Sequence, residues 1–408
     1  MPTFFHLVNH YKKYKSTHKY LYIFSITVFF WTLFDGIISF LTPIIITQKG
    51  FSTLEMGFIL GTSSIWGATF DFFLSKIIKN PSFRKMYLIL FAICFMYPFI
   101  LIKANHITMF LVAMAIWGLY YDIFRFGLFD FVGTNIKVEE HSESFGIIEV
   151  FKSLGYLMAP LIAGLVIVKT INYIPLVLMW VFLTCSFLFF LLTIKLRKRN
   201  LVANQRGNYN LTKELGRWKK VGKTILPVLF LTLTLYTIDA FFWTIGPLVS
   251  ENLKQLHPFG GMFLAVYVLP PLLVGWFIGD ITKRFGKKRT SYIALFFGSI
   301  ILITLGFIQN PIVIIFTVFI ASLILSISWP SINGAYADYI SETPNAEKEI
   351  QGLQDFFVNL GYVIGPISAG FLAEKLHYLQ VFSIIGFFGI LISVILLVST
   401  PKSIRIKI

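Results

Sequence analysis

A sequence motif that occurs twice, here called the repeated phrase, indicates the fold of this chain: FKSLGYLMAPLIAG at residues 151–164 and FVNLGYVIGPISAG at residues 357–370. The two copies lie 206 residues apart in a chain of 408. A second match relates DGIISFLTP at 35–43 to DAFFWTIGP at 239–247, with a nearly equal offset of 204. Two matches at nearly the same spacing predict two structurally equivalent halves.

The composition is that of an integral membrane protein. Hydrophobic residues make up 56% of the chain, charged residues only 13%, and 45 residues are Phe, which lies far outside the range of soluble domains. A helix needs about 20 apolar residues to cross the bilayer. Twelve such segments occupy residues 20–47, 54–77, 86–103, 107–135, 145–169, 172–194, 224–249, 261–281, 290–308, 311–337, 349–374 and 378–399. We predict an all-α membrane protein with twelve transmembrane helices in two six-helix, pseudo-symmetric bundles.

The basic residues fall on alternate loops. They concentrate in residues 1–19, 76–85, 195–223, 283–289 and 402–407, which the odd–even order of the segments assigns to one side of the membrane. Because Lys and Arg accumulate on the cytoplasmic side, we predict a multi-pass protein of the cell membrane with both termini in the cytoplasm. The net charge of +16 is thus explained by topology in a lipid bilayer, and we expect no nucleic-acid partner.

The long polar interval divides the chain. Residues 1–194 are predicted to form an N-terminal six-helix bundle, residues 195–223 a cytoplasmic basic linker, and residues 224–408 a C-terminal six-helix bundle. The linker is interpreted as a solvated segment lying on anionic headgroups. A regulatory partner site is the alternative.

Two acids are predicted near the middle of equivalent helices. Asp35 and Asp239 lie in the first and seventh segments, where an acid costs roughly 2.5 to 3.5 kcal/mol on insertion scales. Trp31, Tyr236 and Trp243 lie three or four residues from these acids, on shared helical faces. A carboxylate beside aromatic rings suits an organic cation and can also bind and release protons. We predict proton coupling and substrate binding here; the alternative is that each Asp caps a helix break or pairs with a buried hydroxyl.

The fourth segment adds a cation. Trp117, Tyr121 and Arg125 follow one another at four-residue steps, and Asp122 lies three residues before Arg125. An arginine within the membrane must face a cavity or an acid. Arg125 has two equal alternatives. It forms a static ion pair with Asp122 or Asp71, or it takes part in proton relay or anion binding. The predicted cavity aromatics are Trp31, Trp117, Tyr121, Tyr236 and Trp243.

These features resemble the major facilitator superfamily over essentially the whole chain. The fifth segment is similar to the antiporter signature of that family, although Ala159 and Ala163 replace two glycines. Small residues allow helices to approach closely, and proline permits a bend. The residues assigned to helix packing and gating on this basis are Gly146, Gly155, Pro160 and Gly164, with Gly361, Gly365, Pro366 and Gly370 in the second copy. Packing without any meaning for transport direction is the alternative.

The cytoplasmic loop signature of the same family is split between the two halves. Gly67 and Asp71 match its first part, while Arg284 and Gly286 match its second part with Asp280 as a partial substitute for its acid. The resemblance implies that these five residues take part in gating. Plain surface charge is the alternative for 283–289.

The function predicted from these features is secondary active transport by alternating access. The histidines are not spaced for a metal and no phosphate-binding glycine loop is present, so we expect no enzyme activity, no cofactor and no metal. The preferred hypothesis is proton-coupled efflux of amphipathic, cationic or neutral small organic molecules by a monomer, with the proton and the substrate as partners. The alternatives are proton-coupled uptake of a sugar or small organic anion, and a non-transporting sensor on the same scaffold.

Overall fold

The computed structural model describes residues 19–77, 82–136, 141–166, 173–194, 211–274 and 278–401, and all regular structure in them is helical. The helices are α1 Lys19–Gln48, α2 Thr53–Ile77, α3 Phe83–Lys103, α4 Ile107–Asn135, α5 His141–Val166, α6 Tyr173–Thr193, α7 Leu211–Leu256, α8 Phe263–Val268, α9 Pro270–Val274, α10 Ile278–Phe285, α11 Lys287–Thr304, α12 Pro311–Leu325, α13 Ser328–Glu342, α14 Glu347–Lys375 and α15 Tyr378–Ser399. Within this part of the chain, ten spans are long and apolar enough to cross a membrane. The sequence predictions for residues 1–18, 195–210 and 402–408 fall outside the described residues.

Two predicted segments are interrupted rather than continuous. The eighth is interrupted at Leu269, between α8 and α9, and the tenth is divided into α12 and α13. Proline explains both breaks, because it has no N–H for the helical hydrogen bond four residues back. Pro270 and Pro271 begin α9, and Pro330 is the third residue of α13. Hydropathy alone predicted the length of each segment but not its break.

Helix α7 is longer than predicted. It begins at Leu211 rather than at residue 224, so that the end of the interval predicted as a linker continues α7 as a helix. The extension is attached to α14. The Nε atom of Arg217 lies 3.0 Å from a carboxylate oxygen of Glu349, and Gly352 leaves space for the ring of Trp218.

The two halves use the same helix contacts, which confirms the predicted pseudo-symmetric bundles. In the first half, α1 to α6, Gly155 of α5 packs on Thr32 of α1. In the second half, α7 to α15, Gly361 of α14 packs on Tyr236 of α7. These residues are related by the offsets of 206 and 204 found in the sequence. The internal repeat is therefore a repeat of packing.

The halves meet closely at the end of the molecule where α1 finishes and α2 begins, which we call the closed end. A Cβ on Gly61 of α2 would lie 3.0 Å from the carbonyl oxygen of Val363 of α14. A Cβ on Gly261 would lie 2.9 Å from the carbonyl oxygen of Gly164 of α5. The side chain of Lys254 in α7 donates hydrogen bonds to the carbonyl groups of Gly164 and Leu165. Small residues thus permit backbone contact between the halves.

The opposite end carries the basic loops and is called the basic end. Among its described cations are Arg84, Lys85, Lys219, Lys220, Lys287 and Lys288. Lys287 of α11 contacts Asp338 of α13, with 2.6 Å between the Nζ and Oδ1 atoms. The charge asymmetry read from the sequence is therefore also present in three dimensions.

Candidate functional site

A cavity of about 640 Å³ lies between the two halves. Its walls come from α1, α2, α4 and α5 on one side, and from α7, α8, α9, α12, α13 and α14 on the other. The volume lies in the range of small-molecule sites. The lining includes Pro43 and Pro366 in the direction of the closed end, and Glu149 and Asn333 in the direction of the basic end.

Asp35 lies in the wall of the first half, with both carboxylate oxygens hydrogen-bonded. The Tyr120 hydroxyl donates to Oδ1 over 2.7 Å, and the Tyr156 hydroxyl donates to Oδ2 over 2.7 Å. The residue is only 2% exposed. A buried carboxylate requires such donors, since an unpaired charge in a low-dielectric site is strongly unfavourable. Tyr120 and Tyr156 therefore hold Asp35 at the cavity surface.

Asp239 has the matching environment in the second half. The Tyr267 hydroxyl donates to Oδ1 over 2.7 Å, and the Tyr362 hydroxyl donates to Oδ2 over 2.6 Å. Asp239 is half-buried, so it meets the cavity more openly than Asp35 does. Tyr156 and Tyr362 are equivalent positions of the repeated phrase, 206 residues apart. Each acid thus receives one tyrosine from the same place in its own half.

Aromatic rings line the space between the acids. Trp117, Tyr121, Tyr236 and Trp243 are part of the cavity wall. The ring of Tyr156 meets Trp243 edge to face with 6.1 Å between centroids, and so joins the two halves. Such surfaces accept flat or cationic organic groups.

The placement of Trp31 corrects its prediction as a cavity residue. The side chain is fully buried away from the cavity lining and stacks on Phe124 with 3.8 Å between centroids. A spacing of four residues predicts that Trp31 and Asp35 lie on roughly the same face of α1. The ring of Trp31 nevertheless packs against α4 in the protein core and not at the cavity.

Arg125 lies between carboxylates of both halves. One guanidinium nitrogen is 4.0 Å from Asp122 Oδ1 on α4, and another is 3.8 Å from Asp355 Oδ2 on α14. Asp122 is 6% exposed, whereas the Asp355 side chain is 58% exposed. This arrangement gives Arg125 the ion pair with Asp122 that the sequence offered as one alternative, and adds a contact across the cavity.

A second cation, Lys152, also lines the cavity. Its Nζ atom is 3.2 Å from both carboxylate oxygens of Glu149, one turn earlier in α5. The Lys152 side chain is 25% exposed and that of Glu149 is 62% exposed. Over the described residues, the charged lining consists of Asp35, Asp122, Glu149, Asp239, Arg125 and Lys152. Acids therefore outnumber bases around the cavity.

Most signature glycines and prolines lie where helices touch. Gly155 packs on α1, Gly164 on Gly261, Gly361 and Gly365 on α7, and Gly370 on the start of α2. Pro160 and Pro366 lie inside α5 and α14. Gly146 is the exception, because a Cβ there would meet nothing within 4 Å. The assignment of Gly146 to helix packing is therefore corrected.

The predicted gating residues are placed unevenly. A Cβ on Gly67 of α2 would lie 3.6 Å from the carboxylate of Asp122. Asp71 and Asp280 lie within α2 and α10, but their side chains are outside the described part of the structure. Arg284 is exposed at the basic end, and Gly286 precedes α11 with a φ of 80°, which favours glycine.

The sequence interpretation missed four tyrosines of the site, Tyr120, Tyr156, Tyr267 and Tyr362. It also favoured a contact between helices, rather than a ligand role, for Lys152 with Glu149. A signal existed for Tyr156 and Tyr362, because the repeat pairs them as it pairs the two acids. Tyr120 is adjacent to the predicted Tyr121, and its side chain reaches Asp35 from the next helical face. Among the described residues, no group of three or more His, Cys, Asp or Glu side chains could hold a metal ion.

Comparisons with known proteins bear on both family and fold. A family model described as Major Facilitator Superfamily matches residues 24–347 and 228–407. The quinolone resistance protein NorA of Staphylococcus aureus strain N315 is 29% identical over 175 residues, which are 41% of this chain and 44% of that protein. NorA of strain MRSA252 is 26% identical over 176 residues, which are 41% and 45% of the two chains. The matches thus span less than half of the length of these curated relatives.

Solved structures match over nearly the whole chain. The nucleoside transporter NupG superimposes with a TM-score of 0.73 at 14% identity, covering 93% of this chain and 98% of that one. A bacterial homologue of the human lysosomal transporter Spinster, in an inward-facing and unoccupied conformation, matches with a TM-score of 0.66 at 12% identity, covering 94% and 95%. At these identities the likeness establishes the fold alone.

Proposed function

The chain belongs to the major facilitator superfamily of membrane transporters, and we propose that it exports amphipathic, cationic or neutral small organic molecules in exchange for protons. The observation that carries this proposal is the pair of acids, Asp35 and Asp239, that line one cavity between the halves and are each held by two tyrosine hydroxyls. Acids near the middle of a membrane are retained for proton or substrate handling.

In the proposed cycle, a proton and the substrate compete for these acids. The carboxylates of Asp35 and Asp239 attract a cationic or polar group of the substrate, while Trp117 and Trp243 contact its apolar part. Protons that enter from the outside neutralise the acids and release the substrate. Binding and release then bias an alternating-access equilibrium between two states.

In the proposed cycle, the two helical bundles move as rigid units relative to each other. Residues 1–194 and 224–408 would rock about the cavity, with the intervening residues at the cytoplasmic face of a cell membrane. The contacts at the closed end, Gly61 with Val363 and Gly164 with Gly261, would separate when the cavity opens there. Because these contacts are made mainly by backbone atoms beside small residues, little side-chain packing has to be broken and formed again in each cycle.

Uptake of a small organic anion is less well supported. That hypothesis assigned the anion to Arg125, whose guanidinium group already lies near the carboxylates of Asp122 and Asp355. The similarity to NorA, named as a quinolone resistance protein, favours efflux.

The proposal is tested by uptake of ethidium, a permanent organic cation, into inside-out proteoliposomes whose lumen is more acidic than the bath, because export runs inward in that orientation. Wild type is expected to transport ethidium and to dissipate the gradient, and both Asp35→Asn and Asp239→Asn are expected to abolish the coupling. Asp338→Asn is the matched control, because Asp338 pairs with Lys287 at the basic end outside the cavity lining. Dissipation by a sugar or an organic anion alone would support uptake, and ethidium binding without any transport would support the sensor hypothesis.

A further inference from the structure

We propose that Lys152 forms an anion subsite of the cavity, so that the substrates include amphoteric molecules with both an amine and a carboxylate. The inference rests on the proposed function and names a further substrate class for the same cavity. The carboxylate of the substrate would bind Lys152 in the first half, and its amine would bind Asp239 in the second half.

The internal repeat shows that the fold does not require a charge at this position. Lys152 corresponds by the offset of 206 to Val358, which also lines the cavity. Its neighbours follow the repeat closely, since Glu149 corresponds to Asp355 and Tyr156 to Tyr362. Valine thus satisfies the same packing position, whereas a lysine within the membrane is unfavourable unless it has a role.

The surroundings of Lys152 suit a ligand carboxylate. Lys152 lines the same cavity as Asp35 and Tyr121 of its own half and Tyr236 of the other half, so it borders the shared space between the halves. Its partner Glu149 is 62% exposed, so this carboxylate can return to water when a ligand replaces it. Arg125, in contrast, lies near acids of both halves, and one of them, Asp122, is only 6% exposed and cannot turn to water in the same way.

The position of Asp239 supplies the second charge. This acid is half-buried, faces the cavity and lies between Tyr236 and Trp243 in α7. Lys152 on the opposite wall and Asp239 together present opposite charges to one ligand. Such bipolar recognition orients an amphoteric molecule, because the reversed orientation would place like charges together.

A binding cycle on the purified full-length protein tests the subsite. Dissociation constants are measured by tryptophan fluorescence for norfloxacin, which carries a carboxylate and an amine, and for its methyl ester, which keeps the amine only. For each protein we divide the dissociation constant of the methyl ester by that of norfloxacin. This ratio should be at least tenfold lower in Lys152→Met than in wild type, because it isolates the contact between Lys152 and the ligand carboxylate. Lys152→Arg should retain most of the wild-type ratio.

A permanent cation separates this role from a structural one. Lys152→Met and Lys152→Val should bind ethidium several-fold more tightly than wild type, since a positive charge has left the cavity. Lys223→Met, an exposed change outside the cavity, is the control. The subsite would be overturned if the ratio of the ester to the norfloxacin dissociation constant differed by less than twofold between wild type and Lys152→Met. Loss of ethidium binding in both Lys152→Met and Lys152→Val would also overturn it.

Failure of the subsite and failure of the proposed function are distinguishable. If wild type exports ethidium under a pH gradient but does not distinguish norfloxacin from its ester through Lys152, the inference is wrong and the proposed function stands. If wild type neither binds nor exports any of the three probes, both are overturned.

Discussion

Gly36 of α1 faces Ala159 of α5 so closely that a Cβ added to Gly36 would come within 3.0 Å of the Ala159 Cβ. The second half has the same contact with the residue types exchanged, because Ala240 of α7 faces Gly365 of α14. Each half therefore contains one glycine and one alanine at its central helix crossing. The departure of Ala159 from the family signature is compensated by Gly36 on the opposing helix.

Exchange of the two residues tests this compensation. Gly36→Ala overpacks the crossing and should destabilise the protein by about 1–3 kcal/mol, whereas Gly36→Ala combined with Ala159→Gly should restore most of the loss. The measurement is the fraction of monodisperse protein that remains after heating. Gly146→Ala, where a Cβ meets nothing within 4 Å, should leave stability unchanged or raise it slightly. Equal stability of the single and double variants would contradict the explanation.

The tyrosines at the repeated position are expected to matter for coupling rather than for folding. Tyr156→Phe and Tyr362→Phe each remove one donor from a carboxylate, and a hydrogen bond to a charged group contributes about 1.5–3 kcal/mol. We expect proton-driven ethidium export to fall by about tenfold in each variant, with normal yield of folded protein. Tyr292→Phe, which loses a bond to Thr400 outside the cavity lining, is the matched control. Wild-type export rates in both cavity variants would refute the prediction.

Lys254 is expected to stabilise the state in which the closed end is shut. Lys254→Met removes hydrogen bonds to the carbonyl groups of Gly164 and Leu165. The ratio of molecules that are open at this end to molecules that are shut there should therefore rise by roughly tenfold. Spin labels at Lys49→Cys and Leu256→Cys, on opposite halves, would report a longer distance. Lys375→Met is the control, because Lys375 contacts the Phe371 ring of its own helix. An unchanged distance distribution would argue against this role.

Arg125 should contribute to stability through its more buried partner. Arg125→Ala leaves Asp122, which is 6% exposed, without this cation, and because the Arg125 side chain is itself 33% exposed and 4.0 Å away, the loss should be about 1–3 kcal/mol. Asp355→Ala removes an acid that is 58% exposed and should have an effect below about 1 kcal/mol. Heating curves of the two variants make the comparison. Adding Asp122→Ala to Arg125→Ala should recover stability, and a similar loss for Arg125→Ala and Asp355→Ala would disprove the assignment.

Local patterns explain why much of the architecture could be predicted. The apolar segments follow from the length of helix needed to cross the bilayer, and the two offsets identified equivalent helices before any contact was known. The same repeat identified Asp35 and Asp239 as equivalent positions of the two halves. The breaks before Pro270 and Pro330 could have been read from proline, but hydropathy over a wide window does not record them.

The partners of the acids required the tertiary structure. Tyr120 and Tyr267 come from helices that the repeat does not relate to each other, since one is on α4 and the other on α8. Which face of a helix meets its neighbour depends on the rotation and tilt of both helices. Trp31 and Tyr120 both lie near Asp35, yet packing placed the Trp31 ring against Phe124 and the Tyr120 hydroxyl on the carboxylate.

The sequence by itself determined the membrane class, the two-fold repeat of six segments and the positions of the acids, because hydropathy, charge and spacing are properties of the chain read in order. The tertiary structure alone decided which side chains share the cavity, which end of the molecule is closed and how Lys152 stands opposite Asp239. Those features depend on side chains far apart in the chain, whose distances are set when the helices pack.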